Sequence, residues 1–194
     1  MKDILLTADL NNSDSISFSM QSKLLYSINN WIINDSRYIT GEDIQSVFLP
    51  LLRAMTPIIH ATLSYLLLEV TTRVLLLYNN LGGGGNSGQL NHEDYIGDNG
   101  KQVDAIADDS LICGILERAP QDESGNEGEM YYTSTTIIEK CLALSGPSAR
   151  VALARFFPYY CLTDENVDVR RIALQSISKY PDLVYKYYNE ILLR

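Results

Sequence analysis

Cysteine is scarce in this sequence. Its three residues, Cys113, Cys141 and Cys161, are odd in number and far apart. That pattern excludes a disulfide framework and the paired spacing of a zinc site, and it fits a reducing compartment. Histidine is scarcer still, with only His60 and His92. Neither belongs to a metal-binding helix motif, and the chain has no nucleophile elbow and no phosphate loop. Positive charge is also short, at 15 Lys and Arg against 24 Asp and Glu, a net of −9. A nucleic-acid-binding surface would need the opposite balance. Residues Met1 to Leu10 carry Lys2, Asp3 and Asp9 without a long apolar run, so no secretory signal is visible. These absences imply a non-enzymatic protein of the cytoplasm, with the nucleus as a second location. They imply no cofactor, no catalytic residue, no metal and no nucleic-acid partner.

Glycine is nearly missing outside one stretch. Ten of the twelve glycines fall between Asn80 and Met130, as do eleven acids against two bases. The remainder of the chain is neutral. Low hydrophobicity and high charge predict a disordered acidic insert over residues 80–130 with little to bury, and therefore dispensable for folding. "GGGGNSG" lacks the Gly-Lys-Ser/Thr of a phosphate loop and reads as a linker. One apolar island remains inside, Leu111, Ile112, Ile115 and Leu116. It fits a short helix docked on a partner or on the rest of the chain, or a purely local collapse.

The rest of the chain is dominated by helical periodicity. Met20, Leu24, Ile28 and Trp31 form one stripe, and Ile44, Val47, Phe48, Leu51, Leu52 and Met55 form a cleaner one. Thr40 and Asp43 make a capping-box variant ahead of the second. Pro57 to Tyr78, "PIIHATLSYLLLEVTTRVLLLY", reads as one long apolar helix with His60 on its core or groove side. It approaches the length of a membrane span. Glu69 and Arg73 inside it, at i and i+4, suit a buried helix of a soluble body better. A membrane-attached protein is the alternative from a different class. Ile137, Ile138, Cys141 and Leu142 begin the second half. A helix follows from Pro147 to Leu162, kinked at Pro158, and then Val169, Ile172, Ala173, Ile177 and Tyr180 share a face. Val184, Tyr187, Tyr188 and Ile191 supply a last stripe after Pro181. The partition is therefore 1–79 helical, 80–130 acidic insert and 131–194 helical.

"FFPYYCLTDENVDVRRIAL" resembles a HEAT repeat. An apolar–Pro–apolar first helix (Phe157-Pro158-Tyr159) leads to a turn aspartate (Asp164), then Val169-Arg170, Ala173 and Ile177. "FLPLL" at 48–52 echoes the first of these elements. The resemblance implies an all-α solenoid of a few HEAT-like repeats that binds protein partners. It implies that Asp164 and Arg170 form a structural guanidinium–carboxylate ladder. It leaves Arg171, Gln175, Lys179, Tyr188 and Leu192 as candidate partner-binding residues. Within that class the motifs look most like regulatory and scaffold subunits of type-2A serine/threonine phosphatases, so a phosphatase catalytic subunit is the implied partner. Cullin-associated and nuclear-transport adaptors are the alternatives. The apolar last stripe, with no helix after it to cover it, implies either a fragment of a longer solenoid or self-association through that end.

Overall fold

A computed structural model describes residues 18–82, 109–120 and 135–179. Among them every regular element is helical and no strand occurs, so the all-α expectation holds. Helix α1 (Phe18–Asp35) contains two overlapping apolar stripes, because Leu24 and Leu25, and Trp31 and Ile32, are adjacent pairs. The stripe that faces the core is Gln21, Leu25, Ile28 and Ile32. The expected stripe is thus turned by about one residue, and Met20 is 50% exposed. Gln21 decides the choice. Its amide donates to the Ile58 carbonyl at 2.9 Å and accepts from the His60 N–H at 3.0 Å. One buried side chain thereby satisfies both backbone groups of a loop that no helix could satisfy.

Thr40 opens helix α2 (residues 41–55) with the expected capping box. Its hydroxyl accepts from the Asp43 N–H at 3.2 Å, and Asp43 Oδ2 accepts from the Thr40 N–H at 3.1 Å. Pro50 lies inside this helix and supplies no N–H to the preceding turn. The helix widens just ahead of it into a π-turn, Ile44–Phe48, where the Leu49 N–H reaches back five residues to the Ile44 carbonyl. The second apolar–Pro–apolar stretch behaves differently. Helix α6 (Pro147–Phe156) stops before Pro158, and a 3₁₀ turn, Pro158–Cys161, takes over. The expected kinked helix to Leu162 is therefore two elements.

The long apolar helix expected from Pro57 is also interrupted. Thr56–Ile58 and Ala61–Leu63 are 3₁₀ turns, and helix α3 begins at Ser64 and runs to Asn80. His60 sits in the exposed link between the turns, not in a core or groove. Its ring nitrogen caps the second turn by accepting from the Thr62 N–H. Residues Ala61–Asn80 have the length and composition of a membrane span, but over half of that window is buried inside the helical body. Glu69 and Arg73 pair at 2.8 Å on its less buried side. Gly82, with φ of +84°, turns the chain out of α3.

Of the alternatives left open for the apolar island, the structure has the docked helix, α4 (Asp109–Arg118). It lies within the stretch expected to be a disordered insert, yet Leu111, Ile112, Ile115 and Leu116 are all buried in the main core. The apolar island is a core helix packed between α3, α6 and the Thr56–Ile58 turn. Residues 83–108 and 121–134, the remainder of that insert, lie outside the described residues. Helix α5 (Thr135–Leu144) packs on α3, and helix α7 (Val167–Ile177) packs on α6. Helices from both expected halves share one core, from Leu25 to Phe157. A small second cluster, Ala154, Cys161, Val169 and Ala173, joins α6 to α7.

Candidate interaction surface

The α6–α7 turn carries the residues the HEAT resemblance singled out. Asp164 is buried, and its carboxylate is taken by Arg150 of α6, with Nε 2.9 Å from Oδ2. Its other oxygen accepts from the Asn166 N–H at 2.8 Å. Asn166 in turn caps α7 by accepting from the Asp168 N–H at 2.8 Å. Arg170 reaches back along the same turn and donates to the carbonyls of Asp164 and Glu165, at 2.5 and 2.9 Å. Asp164 and Arg170 are therefore brought together, but through the backbone carbonyl rather than the expected carboxylate. The reason is geometric: Arg150 approaches the Asp164 carboxylate from across the helix pair, while Arg170, on the first turn of α7, faces carbonyls that no helix satisfies. Sequence reasoning passed over Arg150, and only its position one helix before a turn aspartate could have pointed to it. Burial opposes its charge, but the Glu165 hydrogen bond at 2.8 Å and both nearby carboxylates outweigh that and raise its pKa.

Arg170→Ala is expected to lower stability by about 1 kcal/mol, the usual worth of such charge-assisted contacts at a partly exposed site. Arg171→Ala should stay within about 0.5 kcal/mol of wild type. Arg171 is exposed, and its ion pair among the described residues is with Asp168, at 3.0 Å. Urea midpoints of the two variants read the difference directly, and equal midpoints would contradict the assignment.

Arg171, Gln175 and Lys179 are all exposed and succeed one another at i, i+4 and i+8. Beside them Val167 and Leu174 are 66% and 47% exposed. The other face of α7, Val169, Ala173, Ser176 and Ile177, is buried. The described part of α7 thus presents a mixed apolar and cationic outer face. Tyr188 and Leu192, the remaining candidate partner-binding residues, lie outside the described residues, as does the last apolar stripe.

A second concave surface lies between α4 and the end of α2. The groove along α4, about 320 Å³, is lined by Arg53, Thr56 and Pro57 on one wall and Ser110, Gly114 and Glu117 on the other. Gly114 permits the close approach: a Cβ there would lie 3.1 Å from the Thr56 methyl. At the end of α4 the Asp109 carboxylate meets the first turn of α6. Oδ1 accepts from the Gly146 N–H at 2.7 Å, and Oδ2 from the N–H groups of Ser148 and Ala149 at 3.1 and 3.3 Å. Three of the free donors at that helix end are satisfied by one side chain from far away in sequence.

No cluster of His, Cys, Asp and Glu able to hold a metal ion occurs among the described residues. The thiols of Cys113 and Cys141 are pushed above their ordinary pKa, chiefly by burial. Burial, and then the Asp164 charge, takes Cys161 from 9.0 up to about 12. All three are free thiols and weak nucleophiles at neutral pH. The unfolded chain loses the Cys161 proton near pH 9, whereas the folded chain holds it. The stability that this proton contributes is intact below pH 9 and falls away as pH rises toward about 12. Melting followed from pH 8 to 11 should decline less steeply in Cys161→Ala than in wild type. Parallel slopes would contradict the burial of this thiol.

Comparison with protein-family models, with curated proteins and with solved structures finds no match to this chain.

Proposed function

We propose that the chain is a non-catalytic scaffold, an α-solenoid of HEAT-like repeats that binds a protein partner along the outer face of α7. The observation that carries the reading is the α6–turn–α7 unit. Its buried aspartate and two arginines fix the turn, and Arg171 and Gln175 on α7, with Lys179 in the turn after it, are exposed beyond it. A stacked architecture draws on the contacts of α1 on α3, α3 on α4, α4 on α6 and α6 on α7, with α5 also packed on α3. The motif resemblance favours a type-2A serine/threonine phosphatase catalytic subunit as the partner, with cullins and Ran-type GTPases as the alternatives that related repeats imply. Burial of most of the Ala61–Asn80 window supports a scaffold over a membrane-attached helix.

The test is calorimetric titration of the purified chain with each of the three proteins in parallel, beside the variant Arg171→Glu, Leu174→Glu, Lys179→Glu. The reading expects binding to one of the three. It expects the variant to lose tenfold or more in affinity, a change on the order of 1.4 kcal/mol, with an unchanged melting temperature. Binding to none of them, or binding that the variant leaves intact, refutes it.

A further inference from the structure

We infer that the groove formed by α3, α6 and the Thr56–Ile58 turn is a docking site for amphipathic helices, and that α4 is its ligand supplied in cis. This surface is separate from the outer face of α7, and the inference does not depend on the reading above.

Three observations point to it. First, α4 makes contacts of the kind a bound peptide helix makes. It is ten residues long, too short to be a stable helix by itself, and it offers four apolar anchors at i, i+1, i+4 and i+5, Leu111, Ile112, Ile115 and Leu116. All four are buried against α3, α6 and the turn. Second, its N-terminal carboxylate is read by three backbone N–H groups of another element, at Gly146, Ser148 and Ala149. That is charge complementarity between ligand and groove, not a contact within α4. Third, α4 is joined to α3 and α5 only through residues 83–108 and 121–134, which hold eight of the twelve glycines and nine of the 24 acids of the chain. No short connection fixes it to its neighbours.

The contacts spell out what the groove accepts. The ligand begins with Asp or Glu, carries apolar pairs two and three, and six and seven, residues later, and has Gly at the sixth position. Gly114 occupies that place, where a Cβ would meet the Thr56 methyl at 3.1 Å. A partner helix of this pattern must displace α4, whose tethering holds it at a local concentration on the order of millimolar. The site is therefore closed to weak ligands and opens only to strong ones.

The experiment uses the full chain with a specific protease site inserted between Gly88 and Gln89 and another between Gly125 and Asn126. The chain is purified folded and then cut. The probe is a fluorescent peptide of residues 106–120. The cut chain should keep its helical signal, retain the excised piece without covalent attachment, and exchange it for the probe. The uncut chain should not bind micromolar probe. An Asp109→Ala probe should bind about two- to thirty-fold more weakly, and Gly114→Leu and Ile115→Asp probes should not bind. Cooperative unfolding on cutting would overturn the inference by making α4 an inseparable part of the core. Failure of the retained piece to exchange, equal binding by the uncut chain, or indifference to Asp109→Ala would overturn it as well.

Discussion

Ile115→Ala is expected to destabilise the protein by about 2–5 kcal/mol. Ile115 has no exposed surface and packs in the main core with Leu111, Ile112 and Leu116. Truncation removes its transfer free energy and leaves a cavity between helices that cannot close fully around it. That loss is a large share of the 5–15 kcal/mol that holds a typical domain together. The neighbouring exposed Glu117→Ala should change stability by less than about 0.5 kcal/mol. Denaturant unfolding of the two variants separates the alternatives. If Ile115→Ala were as mild as Glu117→Ala, α4 would not be part of the core in solution.

Asp109→Ala should cost about 2 kcal/mol. A lost helix cap is worth roughly 0.5–2 kcal/mol, and here three N–H groups of α6 lose one acceptor together. The Gly146 donor is half-buried, so water replaces the carboxylate only in part. Asp109→Asn keeps one acceptor oxygen and should lose less. Gly146→Ala should resemble Asp109→Ala, because a Cβ at position 146 would lie 2.7 Å from Asp109 Oδ2 and expel the carboxylate. Thermal melts of the three variants check the order. An Asp109→Ala melt that matches wild type would remove the cap from the account.

Helix existence was legible in the sequence wherever a stripe was unambiguous. Residues 44, 48, 51, 52 and 55 of α2 are buried as expected, and the capping box of Thr40 and Asp43 is in place. The orientation of α1 was not legible. Its adjacent apolar pairs allow two faces, and the choice rests on Gln21 meeting the carbonyl of Ile58 and the N–H of His60, more than thirty residues away. The two prolines in similar apolar settings also led different ways. A π-turn absorbs Pro50, while the chain ends a helix at Pro158, and local sequence does not distinguish them. Composition averaged over residues 80–130 pointed to a disordered insert, but the apolar island Leu111, Ile112, Ile115 and Leu116 left a docked helix open, and α4 is that helix. At the candidate surface, the turn Asp164 and the candidates Arg171, Gln175 and Lys179 came from the HEAT resemblance, and the last three are exposed. Arg150, which takes the Asp164 carboxylate, was not, because the pairing exists only once α6 lies beside the turn.

The placement of α4 between α3 and α6 also sets an order of events during synthesis. The inner face of α3, with Leu67, Leu68, Val74 and Leu75, is covered by elements that follow it in the chain as well as by α1 and α2. At a ribosomal rate of about 5–20 residues per second, the stretch from Tyr78 to Leu153 takes roughly 4–15 s to make. For that interval the nascent chain holds an apolar surface whose cover has not yet been translated. Most helical proteins settle through contacts close in sequence and fold fast. This one must wait for the Asp109 carboxylate to meet a helix end that emerges almost forty residues later, so its window for capture by chaperones, or for aggregation, is set by translation rather than by folding.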